Sequence, residues 1–335
     1  MRIDAALTAT SLTDVPAAAR AIEAAGYDGT YTFEGPHDAM FPLLLAAEHT
    51  TRIELTTAVL IAFARSPMTV AQTAYDLNLA SGGRFNLGLG SQIRTHIEKR
   101  FSMTWSRPAA RMREYVLALR AIWASWHEGA RLDFRGDFYS HTLMTPFFDP
   151  GPSPHRLPRV FLAGVGPRMT EVAGEVADGF MVHPFTTERY LREATVPALE
   201  RGLAAAGRDR SDLEIAYPCM IAAGEDDTAL ARARDLARPR VAFYASTPAY
   251  KVVLDAHGWG DLQPELNRLS KAGDWAGMAA RIDDEILDAF VVCGPAAEVG
   301  PAIRARYGDV VHRVSFDASA ALSSEQAATI MAALR

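Results

Sequence analysis

Two groups of residues in this 335-residue chain have the types and spacing to do chemistry. The first is Gly164-Val165-Gly166-Pro167, which follows the short apolar run Val160–Ala163 and precedes apolar positions at helical spacing, Met169, Val172, Ala173 and Val176. The reading is a strand, a tight glycine turn and a helix. Proline suits the first helical position because it has no N–H to lose there, and two glycines let backbone amides face outward at the positive end of the helix. A phosphate fits such a place, although Gly-x-Gly before a helix also serves as a plain compact turn. The second group is Glu34-Gly35-Pro36-His37-Asp38, where the chain leaves a strand. An imidazole held between carboxylates can give or take a proton, so His37 is the first candidate for acid/base work, Glu34 its neighbour, and His96 in Ser91-Gln92-Ile93-Arg94-Thr95-His96 the second.

Other chemistries find little support. Nine histidines are scattered without a metal-ligand spacing, so no metal is expected. Cys219 and Cys293 sit apart in apolar runs and read as reduced, buried thiols. A formal charge of -6 argues against a nucleic-acid surface, and Arg107, Arg111 and Arg113 read as a solvated helix face. With 49% hydrophobic and 22% charged residues, no apolar run of spanning length and no signal-like N-terminus, the expectation is a cytoplasmic protein without membrane contact.

The elements that must position these groups repeat. Strand-like runs at Arg2–Leu7, Thr30–Glu34, Ile53–Ile61, Phe85–Leu89, Val160–Ala163, Gly179–His183, Leu213–Ile221 and His312–Phe316 alternate with helical patterns, among them one opened by Thr13 or Asp14, one capped by Ser66-Pro67, and Arg111–Trp126. Between His127 and Pro158 the rhythm lapses into proline and glycine with a short hairpin around Phe134–Tyr139. It lapses again over Asp227–Asp288, after which the chain re-enters through Phe290–Cys293. Eight strands alternating with helices predict an α/β fold, a (β/α)8 TIM barrel in a single domain over residues 1–335, with insertions after strands 4 and 7 at about 127–158 and 227–288. In that fold the chemistry lies at the C-terminal ends of the strands, which selects Glu34 to Asp38, Ala58 to Ala64, Gly90 to His96, Gly164 to Gly166 and His183-Pro184. Trp105, Trp123, Trp126 and Trp259 read as packing residues.

The run from Thr57 through Arg65-Ser66-Pro67 to Ser81-Gly82-Gly83-Arg84-Phe85 and Leu87-Gly88-Leu89-Gly90-Ser91, joined to Leu162-Ala163-Gly164 and Ala177-Asp178-Gly179, resembles the bacterial luciferase-like oxidoreductase superfamily, and within it the branch that uses the deazaflavin coenzyme F420. The resemblance runs from residue 1 to the last strand. It implies that the cofactor phosphate rests on Gly164, Val165 and Gly166, that His183 flanks the cofactor tail, and that Ala58, Val59, Gly90 and Ser91 border it. It also implies a non-prolyl cis peptide at Ala58-Val59, and a histidine, His37, facing the reactive edge of the ring with Glu34 setting its tautomer. The function it implies is hydride transfer between F420 and a small organic substrate in a homodimer. The alternatives are an FMN-dependent monooxygenase of the same superfamily and, from another class, a non-catalytic flavin- or ligand-binding protein.

Overall fold

The computed structural model describes residues 1–9, 11–318 and 322–335. Its centre is a closed ring of eight parallel strands: β1 (Arg2–Ala6), β2 (Gly29–Thr32), β3 (Glu54–Thr57), β4 (Phe85–Gly90), β5 (Arg159–Gly164), β6 (Gly179–Val182), β7 (Glu214–Ala223) and β8 (Arg313–Ala318). Each pairs with the next, β7 and β8 included although the helical second insertion lies between them in the chain, and β8 closes on β1 with Arg2 opposite Arg313. The expected TIM barrel is therefore present.

Side-chain alternation explains how these segments close. Along β4, Phe85, Leu87 and Leu89 are wholly buried, while Asn86 reaches Glu54 with a 2.7 Å hydrogen bond and Gly88 and Gly90 face the barrel axis. Each buried large apolar side chain of that set contributes about 1.5–3 kcal/mol to folding. The inner positions are tight: a Cβ on Gly88 would lie 1.8 Å from the Thr57 carbonyl oxygen, and one on Gly90 would lie 2.6 Å from Val59 Cγ2. Only glycine permits that approach.

The N-terminal floor of the ring is ionic. Arg313, 4% exposed, forms a bidentate pair with Asp4 and reaches Glu54 at 2.8 Å and Glu214 at 3.2 Å. Arg2 pairs with Glu54 and Glu214, and Arg159 with Glu214 at 2.6 Å. Burial alone would raise the carboxyls of Glu54 and Glu214, but Arg313 and its neighbours outweigh it and hold both below their usual range. For Asp4 burial wins over Arg313, and its pKa is raised.

Four expectations need correction. The third strand is not continuous from Ile53 to Ile61: it stops at Thr57, the Ala58–Val59 peptide is cis, and Leu60–Ile61 resumes pairing against β4. The run Phe290–Cys293 is the end of a helix followed by a short strand, Val292–Gly294, that pairs only with the far end of β7, outside the ring. Asp14 stands at the start of the helix Val15–Ala24 without a side-chain cap bond, because its backbone is already helical. Arg111 is buried, not part of a solvated face: it donates to the Tyr139 hydroxyl at 2.7 Å and lies 4.5 Å over the Phe63 ring. The hairpin of the first insertion forms between Phe134–Arg135 and Ser140–His141. Glu114 fixes its turn by accepting the backbone N–H groups of Asp137, Phe138 and Tyr139.

The second insertion is helical and has its own apolar cluster, with Val241, Leu266, Met278 and Leu287 packing toward Phe185 and Met220 of the barrel. Among the described residues, no helix is long and apolar enough to cross a membrane.

The ionic floor gives the first prediction. Arg313→Met would leave Asp4, Glu54 and Glu214 buried with less countercharge, and urea unfolding should show a loss of about 3–5 kcal/mol, whereas Arg94→Met, which removes an exposed pair, should cost no more than about 1 kcal/mol.

Candidate active site

At the C-terminal ends of the strands lies a chamber of about 610 Å3. It exists because the inner positions of the second side-chain layer include small residues: Thr56, Gly88, Ala216 and Ser315 stand beside Tyr31, Phe161 and Met181, so the barrel is not filled. The chamber descends from Phe33 and Ile93 at the mouth to Asp4 and Arg313 at the floor.

One wall is the interruption after β3. The Thr32 carbonyl accepts from the Ala58 N–H at 2.6 Å, and the Glu34 N–H donates to the Val59 carbonyl at 3.1 Å. The Glu34 side chain, 6% exposed, accepts from the Ile61 N–H at 2.8 Å and from Arg65 at 2.8 and 3.0 Å. Arg65 also holds Asp38 at 2.8 Å, and Asp38 in turn accepts the N–H of Met40 at 2.7 Å. Burial would lower the Arg65 guanidinium, but its bonds to Glu34 and Asp38 more than offset this and raise it. The two carboxylates expected to flank His37 are thus both tied to Arg65. His37 itself is exposed on the rim loop, has no hydrogen bond among the described residues, and lies outside the chamber lining. Glu34 therefore does not set its tautomer in this structure.

A second wall, two strands further round the ring at the end of β5, carries the glycine turn. Gly164 and Val165 line the chamber, and the Val165 carbonyl accepts from the Tyr190 hydroxyl at 3.2 Å. Gly166 stands at the N-cap of the ten-residue helix Pro167–Val176, which has no side-chain cap, and a Cβ placed on it would meet nothing within 4 Å. The first-turn N–H groups at this positive end are therefore without a side-chain cap.

Next round the ring, His183 follows β6. Its Nδ1 accepts from the Phe185 N–H at 3.0 Å, so the proton of the neutral ring is on Nε2. Burial pushes its pKa down to about 4. Tyr250 and Tyr244 of the second insertion pack on it with ring centroids 4.3 and 5.1 Å away, and burial pushes the Tyr250 hydroxyl up to about 12.

Of the sequence candidates, the structure brings Glu34, Ala58, Val59, Gly90, Ser91, Gly164, Val165 and His183 onto one chamber. Gly166 is at its edge, on the helix N-terminus. His96 is exposed on the short helix Arg94–Lys99 and is not brought to the chamber. Sequence reasoning missed Tyr31, Thr56, Met181 and Ser315, which strand alternation from neighbouring positions would have identified, and Arg65, which stood in a quoted motif without a role. It also missed Thr247, Ala249 and Tyr250, for which an irregular insertion offers no periodic signal.

The comparisons agree with this architecture. The family model described as luciferase-like monooxygenase matches residues 1–313. An uncharacterized protein of Mycobacterium tuberculosis is 57% identical over 297 residues, which is 89% of this chain and 87% of that protein. The 5,10-methylenetetrahydromethanopterin reductase of Archaeoglobus fulgidus is 29% identical over 286 residues, 83% of this chain and 81% of the reductase. Among solved structures, the coenzyme F420-dependent tetrahydromethanopterin reductase of Methanopyrus kandleri superposes with a TM-score of 0.77 at 19% identity, over 99% of this chain and 96% of that one.

The buried imidazole gives the second prediction. The unfolded chain binds a proton near the ordinary histidine value of 6.5 that folded His183 refuses until about 4, so the free energy of unfolding contributed by this group falls as pH drops through that interval. The Cε1–H resonance of His183 should accordingly stay flat from about pH 8 to 5 in an NMR titration; a midpoint near neutrality would contradict the burial seen here.

Proposed function

Since the chain belongs to the luciferase-like monooxygenase family, we propose that it is an oxidoreductase transferring a hydride between coenzyme F420 and a small organic substrate. The observation that carries this reading is the uncapped helix N-terminus at Gly166, open to space and set at the edge of a deep chamber. A phosphate-bearing ring cofactor needs that pairing, a fixed positive pole beside a slot large enough for a flat ring. The choice of deazaflavin draws support from the fold shared with the coenzyme F420-dependent reductase of Methanopyrus.

In this reading Gly164, Val165 and Gly166 hold the phosphate, and the wall of Ala58, Val59, Gly90 and Ser91 backs the ring. When bound, the deazaflavin supplies or accepts the hydride. The chain supplies placement and proton handling. Among its chamber groups Glu34 is tied to Arg65, Asp4 is held by Arg313 at the floor, His183 is held neutral, and burial raises Tyr31 and Tyr250. His183 serves instead as a neutral Nε2–H donor. Proton exchange falls to the rim, where the His37 imidazole is open to water.

Two measurements test this. Titration with F420 and with FMN, followed by fluorescence quenching, should show tighter binding of F420, and Gly166→Val should weaken it by at least about tenfold, about 1.4 kcal/mol, with the melting temperature unchanged. Preference for FMN together with oxygen uptake on reduction would make the protein a monooxygenase, and binding of neither would end the proposal. His37→Ala should lower turnover by about 10²–10⁴-fold while leaving F420 affinity and melting temperature near wild type; turnover within about threefold of wild type would remove His37 from the proton path.

A further inference from the structure

We infer that the organic substrate of this chamber is uncharged. The inference rests on the functional reading above for its view of what occupies the glycine turn, but its own ground is how every charge around the chamber is spent. Three charged residues line it, Asp4, Glu34 and Arg313. Arg313 is shared among Asp4, Glu54 and Glu214, and Glu34 is held by Arg65 and the Ile61 N–H. Cations that border the chamber are engaged as well. Arg65 is divided between Glu34 and Asp38, and Arg240 pairs with Asp317 at 2.7 Å; Arg100, which donates to the Gly35 carbonyl at 2.7 Å, lies outside the lining. Arg168, beside the glycine turn, is different: among the described residues it has no ion-pair partner.

The site is therefore divided by charge. An anion is welcome at the helix N-terminus with Arg168 next to it, whereas the chamber offers side-chain hydroxyls on Tyr31, Thr56, Ser315, Thr247 and Tyr250 against an apolar wall of Phe161 and Met181. An ion entering the chamber would give up its water and find each opposite charge already bound; a neutral alcohol or carbonyl compound would find hydroxyl partners for its oxygen and apolar surface for its carbon frame. The substrate class assigned is thus a neutral, largely apolar molecule bearing one hydroxyl or carbonyl group.

Three probes of nearly one size and shape decide this: benzyl alcohol, benzoate and benzylammonium, titrated calorimetrically into the cofactor-loaded protein and into the cofactor-free chain. Benzyl alcohol should bind at least about tenfold more tightly than either ion in both forms. Ala216→Leu, which fills the chamber at β7, should weaken the alcohol by at least about fivefold, and Ala163→Leu at β5 provides the same readout if the first variant does not fold. Equal or tighter binding of either ion, no measurable binding of the alcohol, or alcohol affinity unchanged in a folded chamber-filling variant would each overturn the inference. Should neither F420 nor FMN bind, the functional reading fails by itself, and the cofactor-free series still decides the charge of the chamber's ligand.

Discussion

The structure depends on one buried cation. Arg313 enters at the start of the last barrel strand and binds carboxylates from β1, β3 and β7, so that a single guanidinium ties strands from across the ring at its N-terminal end. A barrel floor can be filled with branched apolar side chains, which pack well but carry no directional demand. An ionic floor is more exacting: each carboxylate must meet its partner or stay buried and unpaired, so strand register at the bottom is fixed by charge. That rigidity permits the looser packing above it, where small residues replace the usual second layer and leave the chamber open.

The same economy of charge recurs at the other end. Arg65 gathers Glu34 and Asp38, and Glu34, through the Ile61 N–H and the Val59 carbonyl, braces the wall formed where β3 is interrupted. The helix opened by Pro167 is left uncapped, so its terminal N–H groups remain available. Placement of charge, more than its amount, distinguishes the two ends of the site.

Much of this was legible in the sequence. Helices and strands of the ring announce themselves because burial imposes periods of 3.6 and 2 on the chain, and Gly164-Val165-Gly166-Pro167 reads as a turn into a helix because few other residues satisfy that backbone. The interruption at Ala58 was invisible to periodicity, since buried residues continue on both sides of it, and entered only through resemblance. Arg111 was misjudged because a helical arginine looks solvated unless one knows that Tyr139, from a distant hairpin, and Phe63 lie over it. The pairing of Glu34 with Arg65 spans 31 residues and that of Asp4 with Arg313 spans 309; contacts of such range leave no local pattern, which is why His37 was assigned carboxylate neighbours that the fold gives to another residue.

The closed floor also bears on how molecules enter and leave the chamber. With Arg313 and Glu214 sealed against solvent at the bottom, the chamber opens toward water at its mouth, beside Phe33, Ile93 and the aromatic side chains of the second insertion. Two molecules that share such a blind-ended space cannot exchange independently. For any pair that did share it, the one lying deeper would arrive first and depart last, an order of entry set by the closed ionic base at the end of the molecule farthest from the mouth.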